Sequence, residues 1–433
     1  MSLLTCGLVG IGLLLLFLVI GIPVGISMIA AGFIGAVLAA DINVGLSILQ
    51  LTPFRTTADF SMIVVPLFLI MGELAFRAGL SDEAYYAMQN LLGHVRGGLV
   101  MATIGGCAAF ASVCGSSLAT AITMARIALP EMIKYKTDKA LATGGLAAGG
   151  TLGILIPPSV GFIVYAIITE QSIGKLFLAG FLPGVMLAIL FMLTTYILVQ
   201  LNPNLSAVAP RASVHKMLVA VSRSWGVFFL FIFVIGGIYF GIFSPTEAAG
   251  IGAVGAFFLG FFKKKLSWQH FWVSLRDAVG TVGMIFLVII GAFVFSRFLT
   301  ITRLTYEMSG FMVSLPVSRY AILVVILLFF AGLGCIMEII ASMFITLPII
   351  FPVIEALGFD PIWFGVIIVV VMEMGLITPP VGLNVYAIAG VAKDIPMSTI
   401  FRGTLPFVGA MIVCLIILIL FPQIALFIPS MLK

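Results

Sequence analysis

The residues with chemical potential come as two matched sets. Gly153-Ile154-Leu155-Ile156-Pro157-Pro158-Ser159 returns as Gly375-Leu376-Ile377-Thr378-Pro379-Pro380-Val381, 222 positions further on. A proline pair inside an apolar segment removes two N–H donors and frees carbonyls in the preceding turn, while Gly150 and Gly153 let the backbone unwind. Lipid cannot satisfy such groups, so they must face a cavity or a ligand, and freed carbonyls with nearby hydroxyls suit a hard cation such as sodium. The expected first cation set is the backbone of Gly153, Ile156 and Pro157 with Gly115, Ser116 and Ser117. The second is Gly375, Thr378 and Val381 with the backbone around Gly334.

The half-helices that begin after each break and each interruption present their N-terminal dipoles to the same space, which favours an anion there. Ser159 and Asn384 just beyond the breaks, Thr120, and Met337 with Glu338 are the candidate anion contacts. Glu373 and Glu338 lie in apolar sequence, where a carboxylate lines a pathway or pairs with a buried arginine or hydroxyl. Glu73 precedes Arg77 by four residues, which predicts an ion pair along one helix. Covalent catalysis is not indicated: no histidine or lysine accompanies Ser116 and Ser117, and His94, His215 and His270 are expected in polar loops. Cys6, Cys107, Cys114, Cys335 and Cys414 are scattered, no metal pattern other than the sodium sets emerges, and there is no phosphate-binding loop. No cofactor is expected.

Composition dictates what positions these groups. Of 433 residues, 62% are hydrophobic and 9% charged, with a mean hydropathy of +1.31; soluble domains carry about 25% charged residues. The chain reads as an all-α polytopic membrane protein. Apolar runs predict crossings at 3–22, 24–39, 61–78, 138–168, 181–200, 226–243, 246–262, 278–298, 360–391 and 403–421. The first is read as a retained helix, because no basic segment precedes it. The runs at 99–133 and 319–353 are interrupted at Cys114-Gly115-Ser116-Ser117 and Gly332-Leu333-Gly334-Cys335, leaving halves too short to cross, and predict re-entrant hairpins.

The offset also pairs Pro23 with Pro245 and Pro130 with Pro352. Two repeats are therefore expected, residues 1–205 and 225–433, joined by a linker at 206–224. Five crossings per repeat is an odd number, so the second copy starts from the opposite face and the repeats are inverted. Most lysines and arginines, among them Arg77, Arg96, Lys134, Arg223, Lys264 and Arg402, fall on one face; Arg55, Lys175, Arg297, Arg303, Arg319 and Lys433 fall on the other. The positive-inside rule makes the first face cytoplasmic and puts both termini in the periplasm. Residues 81–96 and 263–277 read as interfacial helices. The hairpins and broken helices, 99–200 with 319–433, would form a moving transport domain against a scaffold of 1–98 with 206–318.

Four blocks in order carry a resemblance that covers essentially the whole chain. They are Gly115-Ser116-Ser117 ahead of Pro130-Glu131-Met132, then Gly153 to Ser159, then Ala179-Gly180-Phe181-Leu182-Pro183-Gly184, and Gly375 to Asn384. In these the chain resembles the large membrane subunit (M subunit, DctM-like) of tripartite ATP-independent periplasmic (TRAP) transporters. The resemblance implies an inverted-repeat elevator fold of the ion-transporter superfamily in the bacterial inner membrane. It also implies sodium-coupled uptake of a small organic anion, a small four-helix membrane subunit (Q-type), and a periplasmic substrate-binding protein (P-type). The family's two sodium sites would fall on the tip-and-break sets named above. The second hairpin departs from the family, which often has an aspartate where this chain runs Cys335-Ile336-Met337-Glu338. A stand-alone sodium-coupled di- or tricarboxylate carrier of the same broad fold is the alternative. A channel is less favoured, because two inverted copies in one chain build an alternating site rather than an axial pore.

Overall fold

A computed structural model describes residues 2–431, and all regular elements among them are helical. Lys433, one of the charges assigned above, lies outside the described residues. The first half runs α1 (Leu3–Val19), α2 (Val24–Ala39), α3 (Ile42–Ala58), α4 (Val64–Arg77) and α5 (Leu80–Leu92). It continues with α6 (Gly98–Cys114), α7 (Ser117–Lys134), α8 (Lys139–Leu155), α9 (Val160–Thr169) and α10 (Ile173–Leu201). After α11 (Val214–Arg223) come α12 (Trp225–Tyr239), α13 (Pro245–Phe262), α14 (Trp268–Thr302), α15 (Leu304–Ser314) and α16 (Arg319–Gly334). Then follow α17 (Ile339–Ala356), α18 (Pro361–Gly375), α19 (Leu383–Val391) and α20 (Met397–Leu420). The 222-residue offset maps the first half onto the second: Ser117, which opens α7, falls on Ile339, which opens α17.

Apolar runs say little about where a helix begins, and short polar side chains supply that information. Asp138 accepts from the Leu141 N–H at 3.0 Å, Ser318 from Ala321 at 3.2 Å and Asp360 from Trp363 at 2.9 Å. Glycine then sets how closely the helices approach. Gly25 packs against the Leu287 backbone and Gly32 against that of Phe295, bringing α2 onto α14. In the other half Gly252 meets Met71 and Gly260 meets Ala78, bringing α13 onto α4. The repeats thus exchange partners, and do so again where α9 packs on α17 and α19 on α7.

Among the described residues six helices are long and apolar enough to cross a membrane alone, and two bent pairs qualify together, α8 with α9 at 43° and α11 with α12 at 46°. Three sequence expectations need correction. Residues 263–277 do not form a separate interfacial helix: from Trp268 no proline intervenes, and α14 continues unbroken for 35 residues. Arg77 pairs with Asp277 of α14 at 2.7 Å rather than with Glu73, because the neighbouring helix puts a carboxylate directly at the end of α4. His215 and His270 lie in helices, not loops. The linker contains α11, and α3 and α15 were not anticipated. Arg126, on the first hairpin, lines a cavity with Arg77 and Lys265 and so stands with the larger basic group.

Candidate functional site

The first tip is built by a left-handed glycine followed by a cap. Gly115 has φ +69°, and a Cβ there would stand 2.9 Å from the Pro158 carbonyl oxygen. Ser116 caps α7 by accepting from the Ala119 N–H at 3.4 Å, which places Ser117 and Thr120 in the first turn. Opposite, α8 ends at Leu155 before the prolines, and Ser159 caps α9 by accepting from Phe162 N–H at 3.3 Å. Gly153 faces the Ser116 carbonyl, and its Cβ position is 2.8 Å from the Thr120 hydroxyl; Gly150 faces the Ser117 carbonyl. The Val160 N–H reaches the Gly115 carbonyl at 3.4 Å. The tip residues Gly115, Ser116 and Ser117 therefore lie directly against the break after Gly153. Ile156 and Pro157 are buried in that break.

The second tip repeats this contact with different residues. Gly334 closes α16 beside the Met372 carbonyl, and Gly375 faces the Gly334–Cys335 peptide. Gly382, at φ +63°, donates its N–H to the Cys335 carbonyl at 3.2 Å. Thr378 donates its hydroxyl to the Met374 carbonyl at 2.6 Å, leaving oxygen lone pairs as its ligating capacity. Thr404 occupies the Ile377 carbonyl at 2.9 Å. Glu338 caps its own helix, accepting from Ala341 N–H at 3.1 Å. Met337 and Val381 are half-buried. Both Pro157-Pro158 and Pro379-Pro380 are cis.

Two contacts tie the clusters together, and sequence reasoning had assigned neither. The Ser117 hydroxyl donates to the Glu373 carboxylate, and the Asn384 side-chain amide donates to the Ala147 carbonyl of α8 at 3.4 Å. Thr120 Oγ1, Ser342 Oγ, Glu373 Oε2 and Asn384 Oδ1 are buried without a hydrogen-bond partner among the described residues. Thr120 and Ser342 are 222 positions apart, so the repeat offset applied to every hydroxyl would have flagged Ser342. The clusters differ in access: Pro157 and Pro158 are buried, whereas Pro379 and Pro380 are exposed.

Hydroxyls, backbone carbonyls and one carboxylate bring oxygen atoms together at these contacts. Among the described residues no three His, Cys, Asp or Glu side chains gather in one place. A cavity of about 810 Å³ lies elsewhere, between α5 and α11.

Residues 11–424 match the family described as "Tripartite ATP-independent periplasmic transporter, DctM component". The chain is 36% identical over 381 residues to the C4-dicarboxylate TRAP transporter large permease protein DctM of Pseudomonas aeruginosa, covering 87% of this chain and 88% of that one. It is 31% identical over 417 residues to the isethionate TRAP transporter permease protein DctMQ of Oleidesulfovibrio alaskensis, covering 96% of this chain and 65% of that one. In fold it is similar to the Alcanivorax borkumensis YdaH transporter, with a TM-score of 0.62 at 14% identity over 88% of this chain and 90% of that one.

Proposed function

This chain belongs to the DctM family of TRAP transporter large permeases, and on that premise we propose that it imports a small organic anion by sodium symport. The observation that carries the reading is the doubling of one contact: a hairpin tip lies against a broken helix once in each repeat, at Gly153 with Ser116 and at Gly375 with Gly334. A kink needed only for shape has no reason to recur with a tip packed into it. Sodium sits at these two clusters, and the anion lies between them near Ser159, Thr120, Met337, Glu338 and Asn384, where half-helix N-termini converge.

The relatives' named substrates, a C4-dicarboxylate and isethionate, are both small anions, which supports the class. A relative that joins M and Q in one name supports a separate small four-helix subunit here, and the family's name supports delivery by a periplasmic protein. The hairpins and broken helices, approximately residues 99–200 with 319–433, move as the transport domain against the remaining scaffold, and the unequal exposure of the two breaks suits a site open to one side at a time.

Voltage explains why a cation is a sensible partner. Each charge moved through 100 mV gains about 2.3 kcal/mol, so two sodium ions gain roughly 4.6, of which a monoanion returns one share and a dicarboxylate dianion both, leaving the dianion to the sodium concentration gradient. The remainder supports accumulation at tenfold per ~1.4 kcal/mol, without nucleotide. The test is uptake of a labelled C4-dicarboxylate or sulfonate into proteoliposomes holding this chain and its small subunit, with binding protein added outside. Uptake should require inward sodium. Equal uptake with potassium alone would overturn sodium coupling, and equal uptake without binding protein would favour the stand-alone carrier.

A further inference from the structure

Glu373 is 1% exposed, yet only one of its carboxylate oxygens has a partner, the Ser117 hydroxyl. The salt bridges among the described residues join Arg77 to Asp277, Lys134 to Glu131 and Lys263 to Glu83, and none reaches Glu373. A hydroxyl hydrogen bond does not neutralise a charge. Enclosing a carboxylate without a counter-charge costs several kcal/mol, so such groups in membrane proteins pair with a cation or are functional.

The surroundings supply more oxygen than the fold itself consumes. Along α8 stand Ala147, Gly150 and Gly153, each about 4.5 Å further along the helix axis than the last. The Asn384 side chain meets the first, the Ser117 carbonyl faces the second, and the Thr120 hydroxyl faces the third. Asn384 Oδ1 and Thr120 Oγ1 are, like Glu373 Oε2, without partners, and both residues are fully buried. By contrast, every ligand assigned above to the two cation sets is a neutral hydroxyl or carbonyl.

We propose that Glu373 is a further cation ligand: its carboxylate, carried by the second repeat, joins Ser117 of the first repeat to hold the monovalent ion of the first cluster, and Thr120, which faces Gly153 there, moves from the anion contacts to this cation set. This rests on the sodium reading above and deepens it. The ion is then shared between repeats, and because Glu373 lies two residues before Gly375, its occupancy is felt at the second cluster through α18.

The experiment is thermal unfolding of the purified full-length chain, titrated with sodium chloride against choline chloride at constant ionic strength. The wild type should be stabilised saturably by sodium and not by potassium. Glu373→Gln should raise the half-saturating sodium concentration on the order of tenfold or more. In choline it should melt no lower than wild type, because the amide needs no counter-ion. A merely structural Glu373 would lower melting in both salts and leave the sodium midpoint alone. Should Glu373→Gln not fold, Thr120→Val removes an oxygen from the same site without a charge change, and should raise the midpoint as well. A sodium midpoint within about twofold of wild type for either folded variant would overturn the proposal while leaving sodium coupling intact. No sodium response in the wild type would sink both.

Discussion

Thr120 and Ser342 occupy the same place in the two repeats, one turn into the helix that follows each hairpin tip, and each buries a hydroxyl oxygen with no hydrogen-bond partner among the described residues. An orphaned buried hydroxyl costs about 1–3 kcal/mol, so removing it without a ligand present is neutral or stabilising. Thr120→Val and Ser342→Ala should therefore melt at or above wild type in choline, and each should lose part of the stabilisation that sodium confers. If both melted lower in choline with their sodium increments unchanged, the hydroxyls would be packing groups.

The hairpins and breaks were legible because proline pairs, glycines and capping serines act on the backbone within a few residues. Gly115, Ser116 and the ends of α8 and α18 are of this kind. The partner of Ser117 was not legible, because Glu373 lies 256 positions away and an apolar run carries no signal of which face meets which helix. The same reason explains Arg77, whose partner on α14 outcompeted the carboxylate one turn back. The unbroken α14 misled for a local reason: Trp268, Trp272 and Asp277 have interfacial character, yet nothing between them and Thr302 stops a helix.

Ligand oxygens and anion contacts should separate by phenotype. Ser116→Ala and Thr378→Ala should raise the sodium concentration for half-maximal uptake several-fold with little change in the substrate KM. Ser159→Ala and Asn384→Ala should do the opposite. Ser116 and Ser159 also cap α7 and α9, so each alanine should lose about 1 kcal/mol of stability as well, readable as a lower melting temperature. Identical shifts in sodium and substrate dependence for all four variants would dissolve the distinction between the two sets.

Gly403 tests the packing on which the site depends. A Cβ there would overlap the Ala140 carbonyl, and one on Gly144 would overlap the Gly403 backbone, so α20 and α8 touch main chain to main chain. Gly403→Ala should sharply reduce folded yield, because neither backbone can retreat without shifting the helix that carries Gly150 and Gly153. Gly409, on the same helix, has nothing within 4 Å of its Cβ position. Gly409→Ala should be neutral or slightly stabilising by helix propensity. Equal yields of the two, measured by size-exclusion profile, would mean that the crossing is loose.

Topology can be tested without reference to any relative. Lys264 and Arg303 bracket α14, whose 35 residues extend about 52 Å at 1.5 Å per residue, more than the hydrocarbon thickness of a bilayer. Both are left-handed turn residues outside the helix body, so a cysteine there does not enter the packed interior. The basic cluster Lys263, Lys264 and Lys265 belongs in the cytoplasm by the positive-inside rule, which puts Arg303 in the periplasm. In a background lacking the five native cysteines, a membrane-impermeant thiol reagent added to intact cells should label Arg303→Cys at once and Lys264→Cys only after the membrane is opened. Labelling of both in intact cells would break the inverted arrangement. Both hairpins would then enter from one side, and the two clusters could not serve as opposite ends of one alternating site.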